Sequence, residues 1–338
     1  MNQAAYGMAN FSLPLFAGGR IKFGIESAKY LLEAAKLNAG SDKNAIVYNI
    51  TQAYVNLFKA SQMVGVIKEN LAVSQKRDSD FLNMENNGII ARNDRLKAQL
   101  QTSDIELQLL EAENNFNIAN VNMDLLLGLP ETTLLQVDST FINQQVDART
   151  FNDYEQLALQ NRKDMQAIEF QQKAAVLGTK AAKAENLPTL ALTGGYVAAD
   201  IPKLLTITNA VNAGVGIQYN LANLWKSNAV LKQSKARETQ LAASQALLVD
   251  DIRLSVNEDY QKAFVAKRKI EVYEKALTQA AENYRITKNK FDNSLVTITD
   301  LLDANVALLS TRINVLNARA DAALAYRKLL QTTGILYQ

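Results

Sequence analysis

The side chains that could do chemistry in this chain are almost all carboxylates. The sequence has no histidine and no cysteine, which removes the commonest general base, the commonest metal ligands and any thiol nucleophile. Acidic neighbours such as Asp250 and Asp251 could support acid–base or metal chemistry, but on a long helix with alternating charge they are more often a solvated face. We find no glycine-rich phosphate loop and no nucleophile–base set, so we predict no enzyme, no cofactor and no metal site.

Asp300 and Asp303 form the most specific acidic pair. They lie about one helical turn apart, so both side chains can point in the same direction. Thr297 stands three residues before Asp300, as in a capping box, and acidic residues stabilise any helix N-terminus. A cap accounts for Asp300 but accounts less well for Asp303.

Composition narrows the class of protein. The 338 residues contain 36 Lys and Arg and 34 Asp and Glu, a balance that argues against a nucleic-acid-binding surface. Only 4 prolines and 14 glycines interrupt the chain, which favours long helices. No apolar run reaches the ~18 residues of a membrane-spanning helix. The first residues do not resemble a signal peptide, and we expect that the start of the protein is missing from this sequence.

The chain is an internal duplication. The stretch NNGIIARNDRLKA begins at Asn86, and DNSLVTITDLLDA begins 206 positions later at Asp292. The same offset places Asp94 on Asp300 and aligns residues 6–128 with residues 212–334. A constant offset over more than a hundred positions indicates two structural repeats.

Each repeat has the same order of predicted elements. An alternating segment predicts a strand with one apolar face, formed by Phe11, Leu13 and Leu15 in the first copy and by Val211, Ala213, Val215, Ile217, Tyr219 and Leu221 in the second. A helix of about 65 residues follows, over 20–86 and 226–292, then a corner and a returning helix that ends at Gly128 or Gly334. The returning helices carry apolar stripes with coiled-coil spacing, at positions 96, 100, 103, 107 and 110 and at 302, 306, 309, 313 and 316, where only Ser103 is polar.

The segment between the repeats predicts one helix over about 152–185, a strand from Pro188, and a polar connection over 206–209. We therefore divide the chain into a first, incomplete repeat (1–130), a connecting segment with an ascending helix (131–187), and a second repeat with two strands (188–338).

The alternating segments fit a transmembrane β-hairpin, although a small sheet in a soluble protein has the same pattern. With a missing first strand, each chain would supply four strands, too few to close a barrel, and three copies would supply twelve. This predicts a homotrimer whose copies share one membrane-embedded barrel. Tyr219 and Trp225, near the end of the second strand, fit either an interfacial aromatic girdle or burial at the junction with the helices.

The motifs resemble those of the TolC-like outer-membrane efflux proteins. FSLPLFAGGRIKFGIESAKYLLEAA is similar to the family's strand-to-helix junction, QAYVNLFKA to its Ala-Tyr motif, and NGIIARNDRLKAQ and SLVTITDLLDANVALL to its two periplasmic tips. The resemblance implies a trimer with a twelve-stranded barrel in the outer membrane and a long α-helical barrel in the periplasm. It also implies a passive exit duct for drugs, metal ions or secreted proteins, served by a periplasmic adaptor and an inner-membrane transporter.

The resemblance assigns roles to two groups of residues. Asp300 and Asp303 match aspartates that line the closed periplasmic entrance, and Asp94 occupies the equivalent place in the first copy, with Lys97 at the position of Asp303. The tips that meet the adaptor correspond to Gly88, Ile89, Ile90, Ser294, Leu295 and Val296. Of these, Ile89, Ile90 and Leu295 could instead pack against the neighbouring hairpin.

The second tip departs from the family pattern. Ser294 replaces the usual glycine, for which we expect a slightly different turn, and Val296 lacks the basic side chain of a gate-locking ion pair. The alternative function is a soluble or periplasmic coiled-coil scaffold or adaptor, which would need one hairpin rather than a duplication with amphipathic strands.

Overall fold

The computed structural model describes residues 5–143, 149–201, 205–221 and 229–336. The elements in chain order are β1 (Ala5–Phe16), α1 (Arg20–Asn86), α2 (Arg92–Leu127), a 3-10 turn (Thr140–Asn143), α3 (Phe151–Asn161), α4 (Lys163–Ala184), β2 (Thr189–Ile201), β3 (Leu205–Gln218), α5 (Ala229–Asp292) and α6 (Ile298–Thr332). The predicted class, mainly α with amphipathic strands, is confirmed. In the described part of the chain, no helix combines the length and the apolar character needed to cross a membrane.

The chain divides into two compact units. The first comprises Met1–Ser41 and Lys163–Asp251, and the second comprises Asp42–Arg162 and Ile252–Gln338. The first contains the sheet, and the second contains both corners.

The sheet of the first unit is antiparallel, in the order β1-β2-β3. Phe11 pairs with Gly194, and its ring covers the glycine so closely that a Cβ there would lie 2.3 Å from a ring carbon. The predicted apolar faces of β1 and β3 are exposed, with Phe11, Leu13, Val211 and Val215 all open to solvent in the single chain. A sheet with an outward apolar face has no core of its own and needs an apolar environment to cover it.

The prediction of a polar connection over 206–209 is wrong. This stretch belongs to β3, where Thr206 pairs with Asp200 and the register shifts between Val197 and Ala199. Asn209 has a φ of 58°, and its side-chain oxygen accepts a hydrogen bond from the Tyr196 hydroxyl at 2.6 Å. Asparagine tolerates this left-handed conformation, so the strand continues through a polar stretch by means of a bulge. Tyr219 is exposed just beyond β3, whereas Trp225 lies outside the described residues.

Side-chain contacts within the first unit join α4 to α1 and α5. The rings of Tyr30 and Phe170 lie 6.0 Å apart, and the Ser27 hydroxyl donates to the Ala174 carbonyl at 2.9 Å. The Gln172 amide donates to Gln245 at 2.9 Å. These contacts hold α4 against α1 and α5, although the other faces of these helices are largely exposed to solvent.

In the second unit, α1 packs on α2 as a helical hairpin and also on α6. Ile67, Ile105 and Ala112 form a buried cluster between α1 and α2. Val55 and Phe58 form another with Ala320 of α6.

The two predicted coiled-coil stripes have different surroundings. In the first copy Leu96, Leu100, Leu107 and Leu110 are exposed. In the second copy Leu302 is buried, positions 309, 313 and 316 are half-buried, and Val306 is exposed. The same pattern is thus largely covered in one repeat and open in the other.

The segment after α2 is fixed by the Ala-Tyr motif of the first repeat. The Tyr54 hydroxyl donates to the backbone carbonyl of Asp138 at 2.9 Å and accepts from its backbone N–H at 2.8 Å. The Asn120 side chain donates to the Thr133 carbonyl and accepts from the Leu135 N–H. These contacts satisfy backbone groups within residues 133–138, which belong to no helix or strand in the described part of the chain.

The single helix predicted over 152–185 is wrong, because α3 and α4 are separated at Arg162. This residue is extended, with φ −65° and ψ 123°, and α6 ends beside it. Gly334 has a φ of 77°, and a Cβ at this position would lie 3.0 Å from the carbonyl carbon of Asn161. The close approach of two backbones explains both the break and the glycine. The predicted helix stops at Gly128 and Gly334 are confirmed, because both adopt the left-handed conformation of a C-terminal cap.

Candidate functional site

The two corners have the same backbone hydrogen bonds. In the first corner, residues 86–90, Gly88 N–H donates to Glu85 and Ile89 N–H donates to Met84, both at 2.9 Å. In the second corner, residues 292–296, the donors and acceptors lie at equivalent positions, at 2.8 and 2.9 Å. Each is the pair of bonds that ends a helix with a left-handed residue. The long helices of the two repeats, α1 and α5, therefore end in the same type of C-terminal cap.

Ser294 adopts the conformation that glycine adopts in the first corner. Its φ is 59°, and that of Gly88 is 71°. The expectation of a different turn at Ser294 is wrong, because the hydrogen bonds hold the serine in the left-handed region. A side chain there costs roughly 1–2 kcal/mol relative to the ordinary helical conformation.

The apolar residues of each corner have two different positions. Ile89 is 61% exposed and its equivalent Leu295 is 73% exposed, so both side chains point to solvent. Ile90 and its equivalent Val296 are half-buried and pack against a common apolar cluster. The packing interpretation thus holds for Ile90 and is wrong for Ile89 and Leu295 within the single chain, while Val296 packs although no packing was predicted for it.

The apolar cluster beneath the corners contains residues from both hairpins and is named here the tip cluster. The rings of Phe81 in α1 and Phe291 in α5 lie 5.4 Å apart. The buried members are Phe81, Ala98, Phe291, Ile298, Leu301 and Leu302. The tip cluster therefore joins the first hairpin to the second.

The two corners are braced by different chemistry at equivalent positions. In the first corner, Glu85 and Arg95 form an ion pair with largely buried side chains. The second copy has Phe291 and Leu301 at these two positions, and both belong to the tip cluster. One corner is thus held by an ion pair and the other by apolar packing.

Asp300 is part of a complete capping box. Its carboxylate accepts from the Thr297 hydroxyl at 2.6 Å and from the Thr297 backbone N–H at 2.9 Å, while the Thr297 hydroxyl accepts from the Asp300 N–H at 3.3 Å. The hydroxyl bond first, and then the backbone bond, lower the pKa of Asp300 below its ordinary value. Asp300 therefore carries a full negative charge at neutral pH, and the stability it contributes is lost as pH falls through its lowered pKa.

Asp303 and Asp94 have different surroundings from Asp300. Asp303 is exposed on the next turn of α6, and among the described residues no cation pairs with either Asp300 or Asp303. Asp94 is half-buried, and Lys97 lies 3.1 Å from its carboxylate. The second corner thus carries an uncompensated acidic pair, whereas in the first corner Lys97 offsets Asp94. In the described ranges, no group of three or more acidic residues is arranged to hold a metal ion.

A buried polar layer above the tip cluster was not found from the sequence. Arg77 donates to the Ser74 hydroxyl at 2.8 Å and to the Gln101 side chain at 3.1 Å, and Ser74 and Thr102 share a hydrogen bond of 2.7 Å. Burial lowers the pKa of Arg77, and its Nε and Nη1 have no hydrogen-bond partner among the described residues. In the sequence, this layer could have been recognised from Ser74 and Arg77, two polar residues at helical spacing on a face of α1 that otherwise has the apolar pattern of a coiled-coil core.

Comparison with known proteins places this architecture in one family. Residues 155–335 match the family model described as outer membrane efflux protein. The chain is 24% identical over 326 residues to the outer membrane protein TolC of Vibrio cholerae, covering 92% of this chain and 73% of that protein.

Solved structures of outer-membrane channels share the fold. CusC superimposes with a TM-score of 0.83 at 18% identity, covering 99% of this chain and 83% of that one. The outer membrane channel MtrE of Neisseria gonorrhoeae, in its open state, superimposes with a TM-score of 0.78 at 17% identity, covering 99% and 81%. These findings do not favour the scaffold or adaptor alternative. The family match spans more than half of the chain, and the protein belongs to the outer membrane efflux protein family.

Proposed function

We propose that this outer-membrane efflux channel is gated at its two corners and that Asp300 and Asp303 line the gate. The observation that carries the proposal is the uncompensated acidic pair at the second corner, next to an apolar cluster that joins the two hairpins. In a trimer, three copies would bring six carboxylates to the entrance. Such a ring attracts cations, repels anions and binds a multivalent blocker.

The two acids have separate roles in this proposal. Asp300 caps α6 and so is fixed in position, with its charge retained at neutral pH. Asp303 has no capping bond and lies one turn further along the same helix, where it extends the negative surface. Asp94 contributes less, because Lys97 offsets its charge within the same helix.

We further propose that the corners are the docking points for a periplasmic adaptor. Ile89 and Leu295 are exposed apolar side chains at equivalent positions of the duplicated corner. Exposed apolar residues on an otherwise polar surface favour a protein partner. Gly88 and Ser294 shape the turns, and Ile90 and Val296 anchor them to the tip cluster.

Energy for transport would come from an inner-membrane transporter, since the sequence contains no nucleotide-binding motif. The channel itself is passive in this scheme. It opens when the hairpins separate at the tip cluster, which exposes apolar surface and is therefore opposed in the absence of partners.

The test is single-channel recording in planar bilayers with the double variant Asp300→Asn and Asp303→Asn. We expect the wild type to form cation-selective pores that a multivalent cation blocks, and the double variant to lose both selectivity and block. Thr297→Val is the matched control, because it removes the capping hydroxyl and keeps both charges.

Two outcomes would contradict the proposal in different ways. Pores whose selectivity is the same in the double variant would leave Asp300 as a helix cap and Asp303 without a role in the gate. A protein that forms no pores would overturn the channel mechanism itself.

A further inference from the structure

The joint between β1 and α1 brings the start of α1 beside the end of α4. Gly18 and Gly19 connect the strand to the helix, with φ values of 60° and 85°. A Cβ at Gly18 would lie 2.8 Å from the Leu187 side chain and 3.0 Å from the carbonyl oxygen of Ala184, the last residue of α4. Because glycine permits this close approach, the two helix ends next to the sheet are held together.

A cavity of about 530 Å³ opens at this joint and is named here the junction cavity. Its walls are the end of β1, the glycine turn and the first three turns of α1. The apolar part of the lining consists of large side chains that are about half exposed in the single chain, namely Leu15, Phe16, Ile21 and Ile25. The volume is typical of sites that hold a small molecule.

The junction cavity continues the outward apolar face of the sheet. Phe11, Leu13 and Leu15 alternate along β1 on that face, and Leu15 also lines the cavity. The family is located in the outer membrane, where lipid is the apolar environment that such a face needs. Ile21 and Ile25 lie one turn apart on α1 and extend the apolar surface past the end of the strand. The cavity therefore lies where the lipid chains give way to water.

Two lysines line the polar side of the junction cavity. Lys22 and Lys29 are exposed and lie two turns apart on one side of α1, with the half-buried Glu26 between them. Neither lysine forms an ion pair in the described part of the chain. Lysine binds phosphate as a point charge, and its apolar stem can lie along apolar surface while the ammonium group stays at the polar edge. Two positive charges are thus available beside the apolar walls.

Positive charge is concentrated at the three helix ends that are next to the sheet along the chain. The ten residues nearest the sheet in α1 (20–29), α4 (175–184) and α5 (229–238) include eight basic and two acidic residues. All eight basic side chains are exposed, and both acids are half-buried. The next ten residues of each helix include two basic and two acidic residues in total. A face that only keeps a helix solvated needs no such change along its length, so the enrichment indicates a negatively charged partner at this level.

We propose that the junction cavity binds the head group of an anionic phospholipid from the membrane leaflet next to the helices. Lys22 and Lys29 contact the phosphate, while Leu15, Ile21 and Ile25 cover the glycerol and the start of an acyl chain. A free phosphate ion would leave these apolar walls uncovered, so the occupant is outer-membrane lipid. The site depends on the membrane location of the family and is independent of the gate and of the adaptor.

Native mass spectrometry of the assembled full chain in detergent tests the site. The probe is dioleoyl phosphatidylglycerol, and dioleoyl phosphatidylcholine offers the same acyl chains with a head group of no net charge. We expect the wild type to bind phosphatidylglycerol roughly tenfold more tightly, with one tight site for each chain. The preference should fall when the ionic strength rises from about 0.1 M to about 1 M, because the Debye length falls from about 10 Å to about 3 Å.

Paired substitutions locate the binding. Lys22→Gln with Lys29→Gln should weaken phosphatidylglycerol binding roughly 30-fold, the equivalent of about 1 kcal/mol for each lysine. The matched control is Lys36→Gln with Lys173→Gln, which removes two exposed lysines from the adjoining stretches of α1 and α4. It should change binding less than about twofold, because Lys36 lies two further turns along α1, about a Debye length from Lys29. Lys22→Arg with Lys29→Arg keeps both charges and should retain binding.

Three results would overturn the proposal. Equal binding of the two lipids would show that lipid covers the cavity without recognition of its head group. Equal losses in the Lys22 and Lys29 variant and in the control would assign the binding to the overall charge of the chain. Displacement of phosphatidylglycerol by an excess of inorganic phosphate would make the cavity an anion site rather than a lipid site. The lipid preference and its salt dependence are measured on the wild type, so they decide the result even if a variant does not assemble.

Discussion

Replacing Leu301 by alanine should shift the gate towards its open state. Leu301 is 4% exposed in the tip cluster, where α6 packs against residues of α1, α2 and α5. Removing three buried carbons loses roughly 2.4 kcal/mol of transfer free energy at about 0.8 kcal/mol for each methylene. The residual cavity raises the cost to about 3 kcal/mol.

The effect on gating follows if separating the hairpins exposes the tip cluster. The closed state then loses about 3 kcal/mol and the open state loses little, so the ratio of open to closed channels rises by roughly 100-fold. The assay is the open probability of single channels in planar bilayers without partner proteins. Leu295→Ala is the control, because this side chain lies in the same corner but is 73% exposed, and its removal should change open probability little.

The reasoning would be refuted by a Leu301→Ala channel with lowered thermal stability and an unchanged open probability. That result would mean that the tip cluster stays packed in both states, so that the hairpins do not part there. The gate would then have to open by another movement.

Three further predictions concern backbone geometry and its support. Ser294→Gly should relieve the left-handed strain and slow amide hydrogen exchange in the second corner. Gly88→Ser should speed amide hydrogen exchange in the first corner, and each change should correspond to about 1 kcal/mol. Equal exchange rates in all variants would show that the turns carry no strain. Gly334→Ala should lower the thermal midpoint of unfolding more than Gly128→Ala. Both glycines have positive φ, but only a Cβ at position 334 would meet the backbone of α3. Equal decreases in the thermal midpoint would show that this steric contact does not contribute. Tyr54→Phe removes the two hydrogen bonds to the backbone of Asp138 and should lower the free energy of unfolding by about 1–2 kcal/mol. Proteolysis of the connecting segment should then be faster, and an unchanged cleavage rate would contradict the prediction.

Much of the fold could be predicted from local patterns. The duplication, the long helices, the corners and the capping box at Thr297 and Asp300 all depend on residues close in sequence, whose spacing sets backbone conformation directly. The left-handed residue of each corner was also local information, although the serine at 294 suggested a different turn. The two backbone hydrogen bonds that end the helix outweigh the low preference of serine for the left-handed conformation at position 294.

Other features depend on which elements meet in space, and the sequence does not encode them locally. The break at Arg162 results from the approach of Gly334, more than 170 positions away along the chain. The continuation of β3 through residues 206–209 results from pairing with β2.

The duplication gives the clearest separation between the two kinds of information. The sequence by itself determined that Phe58 and Phe264, or Asp94 and Asp300, are equivalent. Only the tertiary structure decided that one phenylalanine is buried and the other open, and that the first corner is braced by an ion pair and the second by apolar packing. The physical reason is that repeat position fixes a residue's place on its helix, whereas burial and charge pairing depend on the helix that comes to lie against it.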